Sequence, residues 1–531
     1  MTTGFGTTYL GWGATPTQTS ASCTRAAVFW CWRWRTGKPP PSCEPIKKNG
    51  KPSRTSFAKT LASALRNTPS LMNDTFQTRS HMPDTPDKLD IDAEPTKGFF
   101  VEMLTRDIAL EQAVLDLVDN SIDGAKGLKG DGDKPFEGMK IALEFSKEKF
   151  RIVDNCGGFS SEVARKYAFK FGKPPGSPRT PHSIGQFGVG MKRALFKFGH
   201  QFSVRSATKD DAWAVSVQVP AWENQPGWSF PWATFTADEE ISQASPGTEI
   251  IVSDLRTEVS AKFSTQHFKN AIHGLIKSKH RQFIAGGLEI TVNGQHIDAT
   301  SLYLLVATDT KFRPGIDEYV IEDDSGQEIK VRIVVGVGPS SPREAGWYVV
   351  CNGRVVLEAD RRPTTGWGVV EEQSNTVAIP NYHNQFSRFR GIVTFDSNDS
   401  VRVPWNTTKT DVDQDNPIWQ KAFGRMTEMM RPVITFLNEL DADIDEHTRE
   451  HSPLLAYVIK AAAVKSEELT VRSAFTAPAR GSLSKELRTV KLQYAKPVDQ
   501  VEFLMNELAV NTAKAVGEKT FELIYQRMGG K

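Results

Sequence analysis

The chain has 531 residues, with 65 Lys and Arg against 63 Asp and Glu, a formal net charge of +2 and 39% hydrophobic content. That length is too great for one core and predicts two or three packed domains, while no run approaches the roughly 18 apolar residues of a membrane span. The five cysteines contain no C-x-x-C pair, which argues against a cysteine metal site or a disulfide framework and fits a reducing, cytoplasmic setting.

The charge is unevenly spread. Residues 1–60 hold nine Lys or Arg against the single acid Glu44, an excess of +8, so the rest of the chain is about −6 and lacks the bulk basic character of a nucleic-acid binder. Rich in Ser, Thr, Pro and Trp, residues 1–85 read as a low-complexity leader that is expected to be disordered. It fits a transit peptide, a nucleic-acid tail, or translation from a start codon set too early, with Met72 or Met82 the true start.

Beyond the leader, Ile108, Leu115, Val118 and Ile122 recur at steps of seven, three and four, an apolar helical face. Asp116, Asn120 and Asp123 recur at four and three on another face. Such a stripe is either a solvated side or the wall of a cation or ligand site, because carboxylates buried without partners are costly. Next, Ile141, Leu143 and Phe145 alternate, Ser146 to Lys149 reads as a turn, and Phe150 to Val153 completes a β-hairpin. The hairpin ends in Asp154-Asn155-Cys156-Gly157-Gly158, a carboxylate followed by two glycines that let a flat ligand approach the backbone. Ile184 to Lys192 is a glycine-rich loop running into a short helix, whose free amides and positive end suit phosphate. It has neither the G-x-G-x-x-G order of the dinucleotide fold nor the Gly-Lys-Ser/Thr ending of a P-loop. Pro246-Gly247-Thr248 then opens the strand Glu249 to Val252 with a hydroxyl.

In this order the four segments resemble the GHKL ATPase superfamily, which includes DNA gyrase, the MutL mismatch-repair proteins, the ninety-kilodalton heat-shock chaperones, sensor histidine kinases and MORC ATPases. The resemblance implies an α+β chain in which residues 95–260 form an α/β sandwich, a mostly antiparallel sheet covered on one face by helices, with ATP between the layers under a glycine-rich lid. It implies that Asn120 holds Mg²⁺ against the phosphates, and that Asp154 accepts a hydrogen bond from the adenine amino group. Gly158 would let the base sit close, Thr248 would help read its edge, and Gly185, Gly188 and Gly190 would cradle the phosphates. Asp123, Val189 and Lys192, in the same motifs, are expected to bind the nucleotide with them. One position departs from the pattern. Four residues before Asn120, where the hydrolysing branches carry a glutamate as general base, stands Asp116. Glu111 cannot replace it, since at about 100° per residue it falls on the opposite side of the helix. Asp116 loses roughly 1.5 Å of reach, which predicts slow hydrolysis with Asp116 as base, or an ATP-binding switch with little turnover.

Residues 265–412 contain the strand-like runs Leu288 to Val292, Lys330 to Val335 and Gly346 to Cys351, the last leading into Asn352-Gly353-Arg354. They resemble the ribosomal-protein-like transducer domain that follows the ATPase module in MutL, gyrase and MORC proteins. Asn384 to Gly391 and Val403 to Val412 look like the part of that domain whose lysine reaches back to the terminal phosphate. Lys409 is therefore the candidate γ-phosphate sensor, against the plain alternative of a surface lysine. Residues 413–531 are expected to be helical, with Trp419, Phe423, Met426, Met430, Val433 and Phe436 at helical spacing and a similar pattern from Val501 to Met528. Thr476 to Ser484 reads as a linker. The likeness further implies a homodimer that closes on ATP. Its client would be DNA, as in MutL or MORC proteins, with defence against phage as one setting, or else a protein, as for a chaperone-like ATPase, with no role at a membrane.

Overall fold

The computed structural model describes residues 95–529 apart from 173, 175, 177–179, 186–187, 310, 323–325, 370–377, 448–450 and 479–491. The leader expected over residues 1–85 and most of the linker expected over 476–484 lie outside the described residues.

Two helices open the described chain, α1 (Lys97–Arg106) and α2 (Leu110–Gly127). Ile108 falls in the bend between them rather than on α2, but it is buried with Leu115, Val118 and Ile122 as the apolar period requires. The expected hairpin forms as β1 (Lys140–Phe145) and β2 (Lys149–Asp154), paired from Ile141 with Asp154 to Phe145 with Phe150. The sheet continues with β3 (Gly199–Ala207), β4 (Ala212–Gln218), β5 (Trp232–Ala233), β6 (Gly247–Leu255), β7 (Glu289–Val292) and β8 (Gln295–His296). These eight strands lie in the order β5-β4-β3-β6-β2-β1-β7-β8, antiparallel throughout except for β1 beside β7. The run Leu288 to Val292, grouped by its sequence with the later strands, thus belongs to this first sheet.

Alternation along the strands sorts the two faces. Ile141, Leu143, Phe145, Phe150, Ile152, Phe202, Val204, Ile250 and Val252 share the main core with α2, the helix Gly190–Phe198 and the helix Gln266–Lys279. On the opposite face Glu249 takes guanidinium contacts from Arg151 on β2 and Arg205 on β3, a charged ladder. Period-two alternation therefore carries every second residue of β2, β3 and β6 toward α2.

A second sheet is built from five later strands. Strands β10 (Gly315–Glu322), β11 (Glu328–Val337), β12 (Gly346–Cys351), β13 (Arg354–Asp360) and β14 (Phe389–Ser397) pair in the order β10-β11-β14-β12-β13. The helix Pro417–His447 lies on this sheet, burying Trp419, Met426, Met430, Val433 and Phe436 as their spacing predicts. Gly391, opposite Trp347 on the neighbouring strand, admits the indole where a Cβ would stand 2.5 Å from the ring. The C-terminal region is not purely helical, because β15 (Ala462–Lys465) pairs with β9 (Tyr303–Val306). The helices Val498–Glu507 and Ala513–Arg527 follow, and the second leaves Phe521, Ile524, Tyr525 and Met528 exposed. Among the described residues no helix is long and apolar enough to cross a membrane.

The tip of the β12-β13 hairpin touches the ATP-binding half of the chain. Asn352 and Gly353 both have positive φ, 47° and 84°, the two-residue turn that an Asn-Gly pair favours. Its Asn352 Nδ2 donates to the Ser183 carbonyl (3.0 Å), and Lys126 Nζ at the end of α2 donates to the Asn352 carbonyl (2.9 Å).

Candidate functional site

Three adjacent strands build one end of the site. Asp154, two residues beyond Ile152, faces the helix layer, where its carboxylate accepts from Ser121 Oγ of α2 (2.6 Å) and from the Cys156 amide (3.0 Å). Burial pushes this carboxyl above its ordinary value, against the bonds from Ser121, Cys156 and the Thr248 backbone. Thr248 lies opposite Asp154 in the β2-β6 register and opposite Ser206 in the β3-β6 register, and the Thr248 and Ser206 hydroxyls are 2.9 Å apart. Gly158, at φ +59°, is packed into this corner: a Cβ there would stand 2.2 Å from the Ala207 carbonyl oxygen and 2.7 Å from that of Gly247. Its lack of a side chain is thus required by the protein's own backbone, before any ligand is considered.

The other end is a cavity of about 310 Å³. Asp116, Asn120 and Asp123 of α2 line one wall and Gly185, Gly188, Val189, Gly190, Lys192 and Arg193 another, with Lys409 entering from the segment after the second sheet. Asp154, Gly158 and Thr248 are not in its lining, so the two halves of the expected site are adjacent on α2 without sharing one open space. Asn120 is exposed to the cavity and has no side-chain hydrogen bond among the described residues. Gly188 has φ +64°, and Gly190 begins a nine-residue helix whose first turn lines this space.

Several expected residues are already engaged. Asp123 accepts from the amides of Ile184 and Gly185 (2.7 Å each), so its carboxylate holds the start of the glycine loop against α2 instead of pointing freely at a ligand. Burial raises its pKa, opposed by Lys126 and those two amides. Lys192 donates to the Ala168 carbonyl (2.6 Å), and burial pushes its pKa down to about 7. Asp116, almost fully buried, accepts from Arg193 Nη2 (2.8 Å) and Gln112 Nε2 (3.2 Å), with Lys409 Nζ at 3.5 Å. Glu111, as expected, points elsewhere, with Lys262 at 3.9 Å.

Lys409 is not a surface lysine. Within the turn after Trp405, the Asn406 side chain accepts from the amides of Thr410 and Asp411, and Lys409 adopts φ +55°. A non-glycine residue at such a φ is held there by its surroundings. Its Nζ reaches 2.8 Å from Asp119, a fully buried residue that helical spacing did not single out. Asp119 also takes Arg354 from the start of β13 and His280 Nε2 (2.9 Å) from the end of the Gln266–Lys279 helix. Burial raises the carboxyl of Asp119, but Arg354 and Lys409, with the bond from His280, hold it well below the usual carboxylate range. Burial keeps His280 below its ordinary value despite Asp119, so the imidazole is neutral near pH 7. The signals for these missed residues were slight: Asp119 is the neighbour of Asn120, and Arg354 completes the Asn-Gly-Arg turn.

The buried Lys192 makes a pH prediction. An unfolded lysine titrates near ~10.4, so between pH 7 and 10 the unfolded chain binds a proton that the folded one lacks, and stability rises with pH across that window. Below pH 7 the burial penalty is present in full. Lys192→Met is expected to remove the rise, and denaturant titrations of both proteins at pH 7 and 9 test it. A wild-type increment equal to that of the variant would refute the burial effect.

The cavity and its surroundings suit the terminal phosphates of a nucleotide: an uncommitted carboxamide, free amides of a glycine loop, and cationic side chains on the opposite wall. Among the described residues no group of three His, Cys, Asp or Glu side chains is arranged to hold a metal. Asn120 offers one carboxamide oxygen at the cavity wall, a donor of the kind that suits an ion held chiefly by phosphate oxygens and water. Comparison with curated proteins finds no match to the chain. Comparison with protein families finds that residues 108–248, from the bend before α2 to Thr248, match the histidine kinase-, DNA gyrase B-, and HSP90-like ATPases. Those residues span α2, the hairpin, the glycine loop and the strand of Thr248, and the chain accordingly carries a GHKL-type ATP-binding domain of this family.

Proposed function

We propose that the chain is an ATP-driven conformational switch with slow, Mg²⁺-dependent hydrolysis. The observation that carries this reading is the reach of Lys409, from beyond the second sheet, into the cavity of the ATP-binding domain, where its ammonium lies near Asp116 of the lining and binds the fully buried Asp119. In this reading the adenine lies at Asp154, Gly158 and Thr248, and the phosphates lie at Gly185, Gly188, Val189, Gly190 and Lys192. Asp123 serves them by holding the loop. Asn120 would hold Mg²⁺, which would supply neutralisation of charge on the phosphates. Asp116 takes a proton from the water whose oxygen attacks the γ-phosphorus, and ADP departs as the bond from that phosphorus to the β,γ-bridging oxygen breaks, the oxygen leaving with ADP. Lys409 senses the γ-phosphate and reports it to the second sheet, the transducer of this reading, and two protomers close through their ATPase ends.

The order of the modules favours a MutL- or MORC-like clamp on DNA, with phage defence as one setting. The charge of about −6 on the chain beyond residue 60 favours a second reading, a chaperone-like or scaffolding ATPase acting on a protein client. A DNA mobility shift over a range of salt, with and without a non-hydrolysable ATP analogue, separates the two, because phosphate contacts make binding fall steeply with salt. The absence of a shift in both states, combined with analogue-dependent dimerisation, selects the protein client.

Turnover is tested by steady-state phosphate release from wild type, Asp116→Ala and Asp116→Glu. Wild type is expected to turn over slowly, and Asp116→Ala to fall about a hundredfold or more. Equal release from all three, at the level of a blank without enzyme, rules out Asp116-dependent hydrolysis and leaves an ATP-binding switch.

A further inference from the structure

We propose that Arg193 is a second phosphate-binding cation of this site, held on Asp116 until the nucleotide's terminal phosphates take it, so that arrival of the anion also releases the base. This rests on the ATP reading above and deepens it.

Charge balance is the first ground. Asp116 and Asp119 face the three cations Arg193, Arg354 and Lys409, so this buried cluster carries one positive charge in excess. His280 adds none, because burial keeps it neutral. A low-dielectric site tolerates such an excess poorly unless an anion completes it. Asp123, the remaining carboxylate on that stretch of α2, is committed to the amides of Ile184 and Gly185 and to Lys126.

Unmet hydrogen bonding is the second. Arg193 Nε is buried and has no acceptor, although its Nη2 is bound to Asp116. A guanidinium binds phosphate best through two parallel N–H groups, and here one is idle.

Position is the third. Arg193 lines the cavity and sits in the first turn of the Gly190–Phe198 helix, next to the amides expected to hold phosphate. Arg354 is fully buried on Asp119 and is not in the lining, so it cannot make the same move. Once Arg193 leaves, Asp116 keeps Gln112 on one oxygen, and the oxygen that faced Arg193 is free to accept a proton from water. The exchange gives a shortened base a reason to be idle in the absence of nucleotide.

The test is calorimetric binding of a β,γ-imido ATP analogue and of adenosine to wild type, Arg193→Met, Arg193→Lys, Asp116→Asn and the Arg193→Met/Asp116→Asn double variant. Loss of a charge-assisted pair predicts analogue binding weaker by about tenfold to a hundredfold in Arg193→Met, with adenosine binding within about twofold of wild type and Arg193→Lys recovering part of the loss. Asp116→Asn should tighten the analogue, since Arg193 no longer has to leave a carboxylate, and this gain should vanish in the double variant. An unchanged analogue affinity in Arg193→Met overturns the proposal. So does a gain that persists in the double variant, which would mean only that a repelling carboxylate had been removed. Wild type that binds neither adenosine nor the analogue instead defeats the ATP reading itself, and this inference with it. Adenosine binding retained in Arg193→Met also shows that the variant is folded.

Discussion

Replacing Asp119 by alanine is expected to cost the folded protein about 3–5 kcal/mol, the usual penalty for removing one partner of a buried charge pair. Arg354 has no exposed surface and its Nε already lacks an acceptor, so without Asp119 its guanidinium would be left in the interior with no counterion. Lys409 would lose its nearer carboxylate and keep only Asp116 at 3.5 Å. The cost should be felt across the junction, because Asp119 belongs to α2, His280 to the helix before β7, Arg354 to β13 and Lys409 to the turn after the second sheet. Guanidinium denaturation of wild type and Asp119→Ala measures it, and a loss below about 1 kcal/mol would remove the ion cluster as the clasp between the sheets. The double variant Asp119→Leu/Arg354→Met sharpens the experiment. An apolar pair of similar volume often replaces a buried ion pair at little cost, so most of the stability should return while control by Lys409 does not.

The sequence made the ATP-binding domain legible because its signals are local. The period of Leu115, Val118 and Ile122, the alternation of the β1-β2 hairpin, and the glycines before the helix Gly190–Phe198 each fit within a window of about a dozen residues. Asp154 and Thr248 could be placed because both sit at strand ends. The function of Asp119 was hidden for the converse reason: its partners lie 161, 235 and 290 residues away, and a charged residue beside an apolar helical face reads as solvated. Asp123 shows the same limit in another form. Its spacing placed it correctly at the cavity, but spacing could not reveal that two loop amides would already occupy its carboxylate. Pairing of β1 with β7 is parallel and crosses well over a hundred residues, so Glu289–Val292 carried no mark of which sheet it would join. The strand β15 in a region expected to be helical was hidden likewise, being short and paired with the distant β9.

Lys409→Ala should separate the counterion role of this lysine from its proposed contact with the γ-phosphate. As a counterion it is dispensable, since Asp119 retains Arg354 and His280, and Asp116 retains Arg193 and Gln112. Stability is therefore expected to fall by only about 1 kcal/mol, far less than for Asp119→Ala. As a γ-phosphate contact it acts where negative charge is redistributed during bond cleavage, and losing one such preorganised donor typically costs about 10²–10³ in rate. The expected result is phosphate release slower by at least about a hundredfold, with analogue affinity lowered by less than about tenfold. Coupling should fail too. Lys409 is held at φ +55° by the turn that Asn406 closes, so its movement from Asp119 to the phosphate must shift that turn and the Trp405–Val412 bridge beside it. Analogue-induced protection from hydrogen exchange around residues 403–412 and at the Asn352-Gly353 tip should therefore appear in wild type and be absent from Lys409→Ala. Wild-type turnover in that variant would reduce Lys409 to a structural counterion. Protection that survives alongside lost turnover would place the signal between the sheets in the Lys126 to Asn352 contact instead, because that link reaches the same hairpin without passing through the phosphate end.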